Sequence, residues 1–143
     1  MYISDAKRLT TEGARKIKNA AVKAAEKAGI PITVAVVDSG GHLLVLERMD
    51  GGKFHSVHSA TTKAVCAASN KRNTGSTGAV GQSLDVLHAL GLALAAGPER
   101  WTAMEGGIPV MVGSECIGGV GVAGGNWEFD EKVAREAVDA IKG

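Results

Sequence analysis

Ala14, Ile17, Ala21, Ala24, Ala25 and Ala28 recur at helical spacing with lysines on the other face, which predicts a first helix. Ser4 or Asp5 can cap it, and Gly29 followed by Pro31 ends it. Ile32 to Val37 is then rich in β-branched residues and apolar on both faces, the pattern of a strand covered on both sides. Asp38-Ser39-Gly40-Gly41 is a turn, and His42 to Arg48 resumes as the second strand of a hairpin. Asp50-Gly51-Gly52 closes that unit. From Phe54 to about Asn70 the period returns to helical, with Phe54, Val57, Thr61, Ala64, Val65 and Ala68 as the expected packing stripe.

The stretch from Lys71 to Pro98 is less regular. Asn73 to Gly78 is a polar loop, and Ser83 to Ala96 has the composition of a helix of Leu, Ala and one histidine, His88. Glu105-Gly106-Gly107 punctuates the chain before Ile108 to Val112. Gly113-Ser114 turns it into Glu115 to Val122, a second hairpin. Gly124-Gly125-Asn126 leads into a last helix from Trp127 to Ile141, with Asn126 as its cap. The order helix, hairpin, helices, hairpin, helix predicts an α/β (α+β) protein: an antiparallel sheet built from two hairpins and flanked by helices.

Length and composition narrow the picture. The 143 residues suit one domain spanning 1–143, and 20 glycines appear without a repeat period. Few aromatics are present, so the core must be made of Val, Ile, Leu and Ala. A formal charge of +1 with interspersed signs gives no footprint for nucleic acid or an anionic membrane surface. The N-terminal MYISDAKRLTTEGARK lacks the apolar run of a signal peptide, so a cytoplasmic location is expected. Cys66 and Cys116 lack CxxC spacing and are expected to be free thiols.

Several short motifs together resemble the GlcG/HbpS family, which includes the C-terminal domain of PduO-type proteins. They are Val36-Val37-Asp38-x-Gly40-Gly41-x-Leu43 and Arg48-Met49-Asp50-Gly51, then Lys63-Ala64 on a small-residue helix. Gly106 to Val110, Ile117 to Val122 with Gly124-Gly125, and Asp130-Glu131 complete the set. The resemblance runs from about Ile3 to Ile141. It implies a sheet of about five strands, a homo-oligomer, and a pocket for haem or another small ligand. It implies no single reaction, because relatives include haem binders and proteins encoded with catabolic genes. The segment from Lys71 to Thr102 departs from the family pattern: a Pro- and Gly-rich stretch is replaced by Leu84 to Ala96.

Candidate chemistry gathers in three places. His55, His58, Thr62 and Cys66 fall on one flank of the second helix, beside the packing stripe. Imidazole there can serve as general base, metal ligand or haem ligand, whereas the bland alternative is solvated or interface histidines. A zinc site lacks the further ligands at recognisable spacing, so no metal centre is expected. Lys63 and Arg48 can anchor a carboxylate; the alternative for Lys63 is an ion pair with Asp38, Asp50 or Asp130, and for Arg48 one with Asp50 or Asp130. Glu105 is suited to proton transfer if it lies in an apolar cleft. The N–H groups of Gly106, Gly107, Gly124 and Gly125 can cradle an anion, or the glycines can simply allow tight turns.

Three functions remain open on these grounds. One is a binding module for haem or a small organic acid. Another is a cofactor-free enzyme of small-molecule catabolism, working through Glu105 and His58 with Lys63 or Arg48 as anchor. The third is an accessory or assembly protein without a ligand.

Overall fold

The computed structural model describes residues 1–142. Helix α1 (Thr11–Ala28) is followed by strands β1 (Thr33–Asp38) and β2 (Leu43–Arg48), then α2 (Ser56–Asn70) and α3 (Val86–Ala96). Strands β3 (Gly107–Val112) and β4 (Glu115–Ala123) precede α4 (Trp127–Val138), which tightens into a 3₁₀ turn over Asp139–Ile141. The two hairpins join through β1 and β4, giving an antiparallel sheet in the order β2-β1-β4-β3. The α+β class is therefore as the pattern predicts. The strand count is four, because the segment between α2 and α3 contributes only an isolated bridge, Thr77 to Ser83.

The two faces of the sheet are packed differently. Val34, Val36, Val120 and Val122 meet Ile17, Ala21 and Val133 of α1 and α4 on one side. On the other, Ala35, Val37 and Ala123 meet Ala60, Ala64 and Ala68 of α2. Gly119 and Gly121 also face α2. A Cβ on Gly121 would overlap the Ala60 carbonyl, and one on Gly119 the Ala64 carbonyl. The backbone of α2 thus rests directly on β4, an approach open only to glycine.

That close approach corrects the expected packing stripe of α2 in part: Ala64 and Ala68 are buried as expected, and its larger members are not. The helix turns its smallest side chains to the sheet, burying Ala60, Ala64, Ala67 and Ala68, while Phe54 stays 81% exposed. Val57, Thr61 and Val65 are only half-buried. The glycine floor has no room for larger groups, so the stripe of larger residues is rotated outward.

Helix ends follow local chemistry, with one shift. Thr10, not Ser4 or Asp5, caps α1, its Oγ1 accepting from the Gly13 N–H at 3.0 Å. Leu9 is buried, and the Lys7 N–H donates to Glu115 Oε2 at 2.6 Å, so the preceding residues cannot coil into the helix. Gly29 takes the left-handed conformation at φ 71° and closes α1 where expected. Asn126 caps α4 as predicted, accepting from the Phe129 N–H at 2.8 Å.

Candidate functional site

A pocket of about 720 Å³ opens at the end of the sheet where β4 gives way to α4. One wall is polar: Lys53, His55, Ser56, His58, Ser59 and Thr62, at and after the start of α2. The opposite wall is apolar, made by Leu84, Val86, Ala89, Leu90 and Ala93 with Pro98 and Trp101. Lys63, Asp130, Ala123, Gly124 and Gly125 join the two.

The first turn of α2 shapes the polar wall. His55 occupies the cap position but makes no side-chain cap hydrogen bond, and no acidic residue lies in the first turn. Backbone carbonyls take that role instead: the Ser56 and Val57 N–H groups donate to the Lys53 and Phe54 carbonyls at 3.0 and 3.3 Å, and Lys53, His55 and His58 stand beside this turn. Below, Ser56 is buried and tied to the sheet by a 2.7 Å hydrogen bond between its Oγ and Thr33 Oγ1. His55 and His58 are both exposed.

Lys63 and Asp130 form a buried ion pair where the pocket meets the sheet. Lys63 Nζ donates to Asp130 Oδ2 at 3.3 Å and to the Val122 carbonyl at 2.9 Å. Asp130 Oδ1 accepts the Gly125 N–H at 2.9 Å. Burial pulls the Lys63 ammonium below its ordinary range, opposed by Asp130 and, more weakly, by Glu105. Burial likewise raises the Asp130 carboxyl, opposed by Lys63 and by the N–H groups of Gly125 and Gly124.

The structure brings His55, His58, Lys63, Gly124 and Gly125 to one pocket. It chooses Asp130 among the expected partners of Lys63. At Gly124-Gly125 the acceptor is the chain's own carboxylate, the Gly125 N–H donating to Asp130 Oδ1. Glu105 is half-buried near Gly75 and within electrostatic range of Lys63, but does not line the pocket. Arg48 is exposed at the end of β2 and lies outside it too; among the described residues it has no ion pair, so neither Asp50 nor Asp130 is its partner. Gly106 and Gly107 serve close packing: a Cβ on Gly106 would meet Lys63 Nζ and the Val122 carbonyl, and one on Gly107 the Lys63 carbonyl. Thr74 seals this strand edge, its N–H donating to the Gly107 carbonyl and its Oγ1 accepting the Gly107 N–H, both at 2.9 Å.

From the sequence alone, Asp130 is only one of three candidate partners for Lys63. The spacing Gly-Gly-Asn followed by Asp130 carried a signal: an acid in the first turn of α4 can fold back onto the glycine amides. The apolar wall from α3 had no such local mark. Asp85 caps α3 by accepting the His88 N–H at 2.8 Å, yet none of the residues of α3 is buried. Val86, Leu87 and Leu94 are 84%, 75% and 71% exposed. Among the described residues, no cluster of three or more His, Cys, Asp or Glu side chains has the arrangement of a metal site. Cys66 and Cys116 are free thiols.

A four-stranded antiparallel sheet between helices, with a half-polar pocket at its end, defines a class of small α+β pocket domains. Within that class the chain belongs to the HbpS-like family, described as "Haem degrading protein HbpS-like", whose pattern it matches over residues 9–139. It is 33% identical over 115 residues to Protein GlcG of Escherichia coli K12, covering 80% of this chain and 81% of that protein. The crystal structure of Klebsiella pneumoniae protein ORFY superposes with a TM-score of 0.86 at 33% identity, covering 100% of this chain and 97% of the other. A structure described as a PduOC–haem complex superposes with a TM-score of 0.81 at 29% identity, covering 94% and 96%. No helix among the described residues is long and apolar enough to cross a membrane.

Proposed function

We propose that the protein binds a planar, amphipathic carboxylate, with haem as the first member of that class to test and a smaller organic acid as the alternative within it. The observation that carries this reading is the division of the pocket. Leu84, Val86, Leu90 and Trp101 offer an apolar surface to a flat ligand body, and Lys53, His55 and His58 supply the polar part of the lining. A lysine ammonium favours carboxylate groups, and exposed imidazole is a suitable axial ligand to haem iron. A volume of about 720 Å³ lies within the usual range for small-ligand pockets. The haem complex of the PduOC relative supports the same ligand class.

Titration with haem tests the proposal. Stoichiometric addition should produce a Soret band, and His55→Ala or His58→Ala should shift it if that imidazole is the axial ligand. Trp101 lines the pocket and Trp127 does not, so haem should quench the emission that remains in Trp127→Phe. Absence of both signals would exclude haem. A thermal-shift series with small carboxylic acids then tests the alternative.

A homo-oligomer belongs to the same reading. The apolar side chains that α3 exposes and the outward stripe of α2 are surfaces that a second copy of the chain can cover.

A further inference from the structure

Lysine is rarely buried, because its compact ammonium is strongly hydrated. Lys63 is 6% exposed and yet borders a cavity wide enough for a small molecule. Its Nζ has two protein acceptors, the Val122 carbonyl and Asp130 Oδ2, whereas an ammonium carries three N–H groups. Gly106 stands beside it, and any Cβ at that position would crowd Nζ. Asp130, the nearest carboxyl, also lines the cavity.

Burial acts on the two partners in the same sense. It lowers the Lys63 ammonium and raises the Asp130 carboxyl, which brings the neutral amine–carboxylic acid pair closer in energy to the ion pair. A neutral amine is a nucleophile, and the acid beside it is a proton donor. An exposed lysine is about 99.9% protonated at pH 7, so it competes poorly for an electrophile.

We infer that Lys63 is a carbonyl-capturing amine, which condenses with an aldehyde or ketone in the pocket to form an imine while Asp130 carries the protons. This rests on the pocket being a ligand site, but not on haem being its ligand. The amine lone pair forms the C–N bond as the carbonyl π pair moves to oxygen, and that oxygen takes the Asp130 proton. Asp130, now a carboxylate, removes a proton from the nitrogen. The nitrogen lone pair then expels the hydroxyl group, which leaves as water with the proton from Asp130. The product is a protonated imine facing the Asp130 carboxylate, the charge arrangement the ion pair already has. One water is released, and nothing is oxidised or reduced.

The probe is 4-carboxybenzaldehyde, a planar aldehyde whose carboxylate suits the basic wall, with cyanoborohydride to fix the imine. At pH 7 and limiting aldehyde, peptide mapping of the wild-type protein should find the reduced adduct on Lys63 at least about tenfold above the mean of the other lysines. That preference should vanish in guanidinium. Asp130→Asn keeps an acceptor for the Gly125 N–H and should slow labelling of Lys63 by about 10² or more, while surface lysines react as before. Adducts spread over exposed lysines with Lys63 unmodified would overturn the inference, as would labelling of Lys63 unchanged in Asp130→Asn. Wild-type protein that binds haem but leaves Lys63 unlabelled overturns this inference alone. Selective labelling without haem binding supports it and overturns the haem reading alone.

Discussion

Lys63 and Asp130 lie 67 residues apart in the chain and meet at 3.3 Å, tying α2 on one face of the sheet to α4 on the other. Gly124 and Gly125 make the meeting possible: the strand ends there in a turn, and the freed Gly125 N–H is satisfied by the same carboxylate. The pair is thus both a clasp between layers and a part of the pocket wall.

Removing one partner should be far worse than removing both charges. Asp130→Ala leaves a buried ammonium unpaired, at a cost of about 3–5 kcal/mol. The double variant Lys63→Met with Asp130→Asn should recover much of that loss, because Asn still accepts the Gly125 N–H. Urea unfolding of the wild type and both variants gives the comparison, and equal midpoints for all three would show that the pair contributes little.

Glycines under α2 should be the least replaceable positions in the sheet. Gly121→Ala and Gly107→Val force a Cβ against helix backbone, at Ala60 and Lys63 respectively, and should destabilise by about 1–3 kcal/mol or more. His42→Ala, at an exposed turn, should stay within about 0.5 kcal/mol of the parent. Thermal melts rank the three. If Gly121→Ala melts with the parent, α2 does not rest on β4 as described.

Burial raises the pKa of the Cys66 thiol, and this has a signed consequence for stability. In the unfolded chain the thiol ionises near about pH 8.5, whereas in the fold it holds its proton to higher pH. Its contribution is therefore full below about pH 8.5 and is lost as pH rises through the raised folded value. The stability gap between wild type and Cys66→Ala should be constant at neutral pH and shift against the wild type above it. A gap that stays constant to pH 10 would mean the thiol ionises equally in both states.

Leu87 and Leu94 project from α3 at 75% and 71% exposure, too apolar for a helix face meant for water. Light scattering should give a particle larger than the 14.6 kDa chain, and Leu87→Lys with Leu94→Lys should reduce it while leaving the urea midpoint of the core unchanged. A wild-type protein that scatters as a single chain at micromolar concentration would count against self-association.

Much of this molecule is decided locally and is therefore readable along the chain. Gly29 ends α1, Asp38 to Gly41 turns the first hairpin, Gly113-Ser114 turns the second, and Asn126 caps α4, each through backbone geometry set by a few neighbouring residues. The grouping of His55, His58 and Thr62 was legible for the same reason, since helical spacing alone puts them on one flank. What the sequence could not decide is which surface each element presents to a distant one. The outward rotation of the Phe54, Val57 and Val65 stripe follows from glycines on β4, some sixty residues later. The choice of Asp130 over Asp38 or Asp50 for Lys63 depends on β4 lying beside β1, which places the start of α4 at the pocket. The exclusion of Glu105 and Arg48 from the pocket and the stand-off of α3 have the same origin. Periodicity records how a segment can be covered; only the packed sheet and helices determine what covers it.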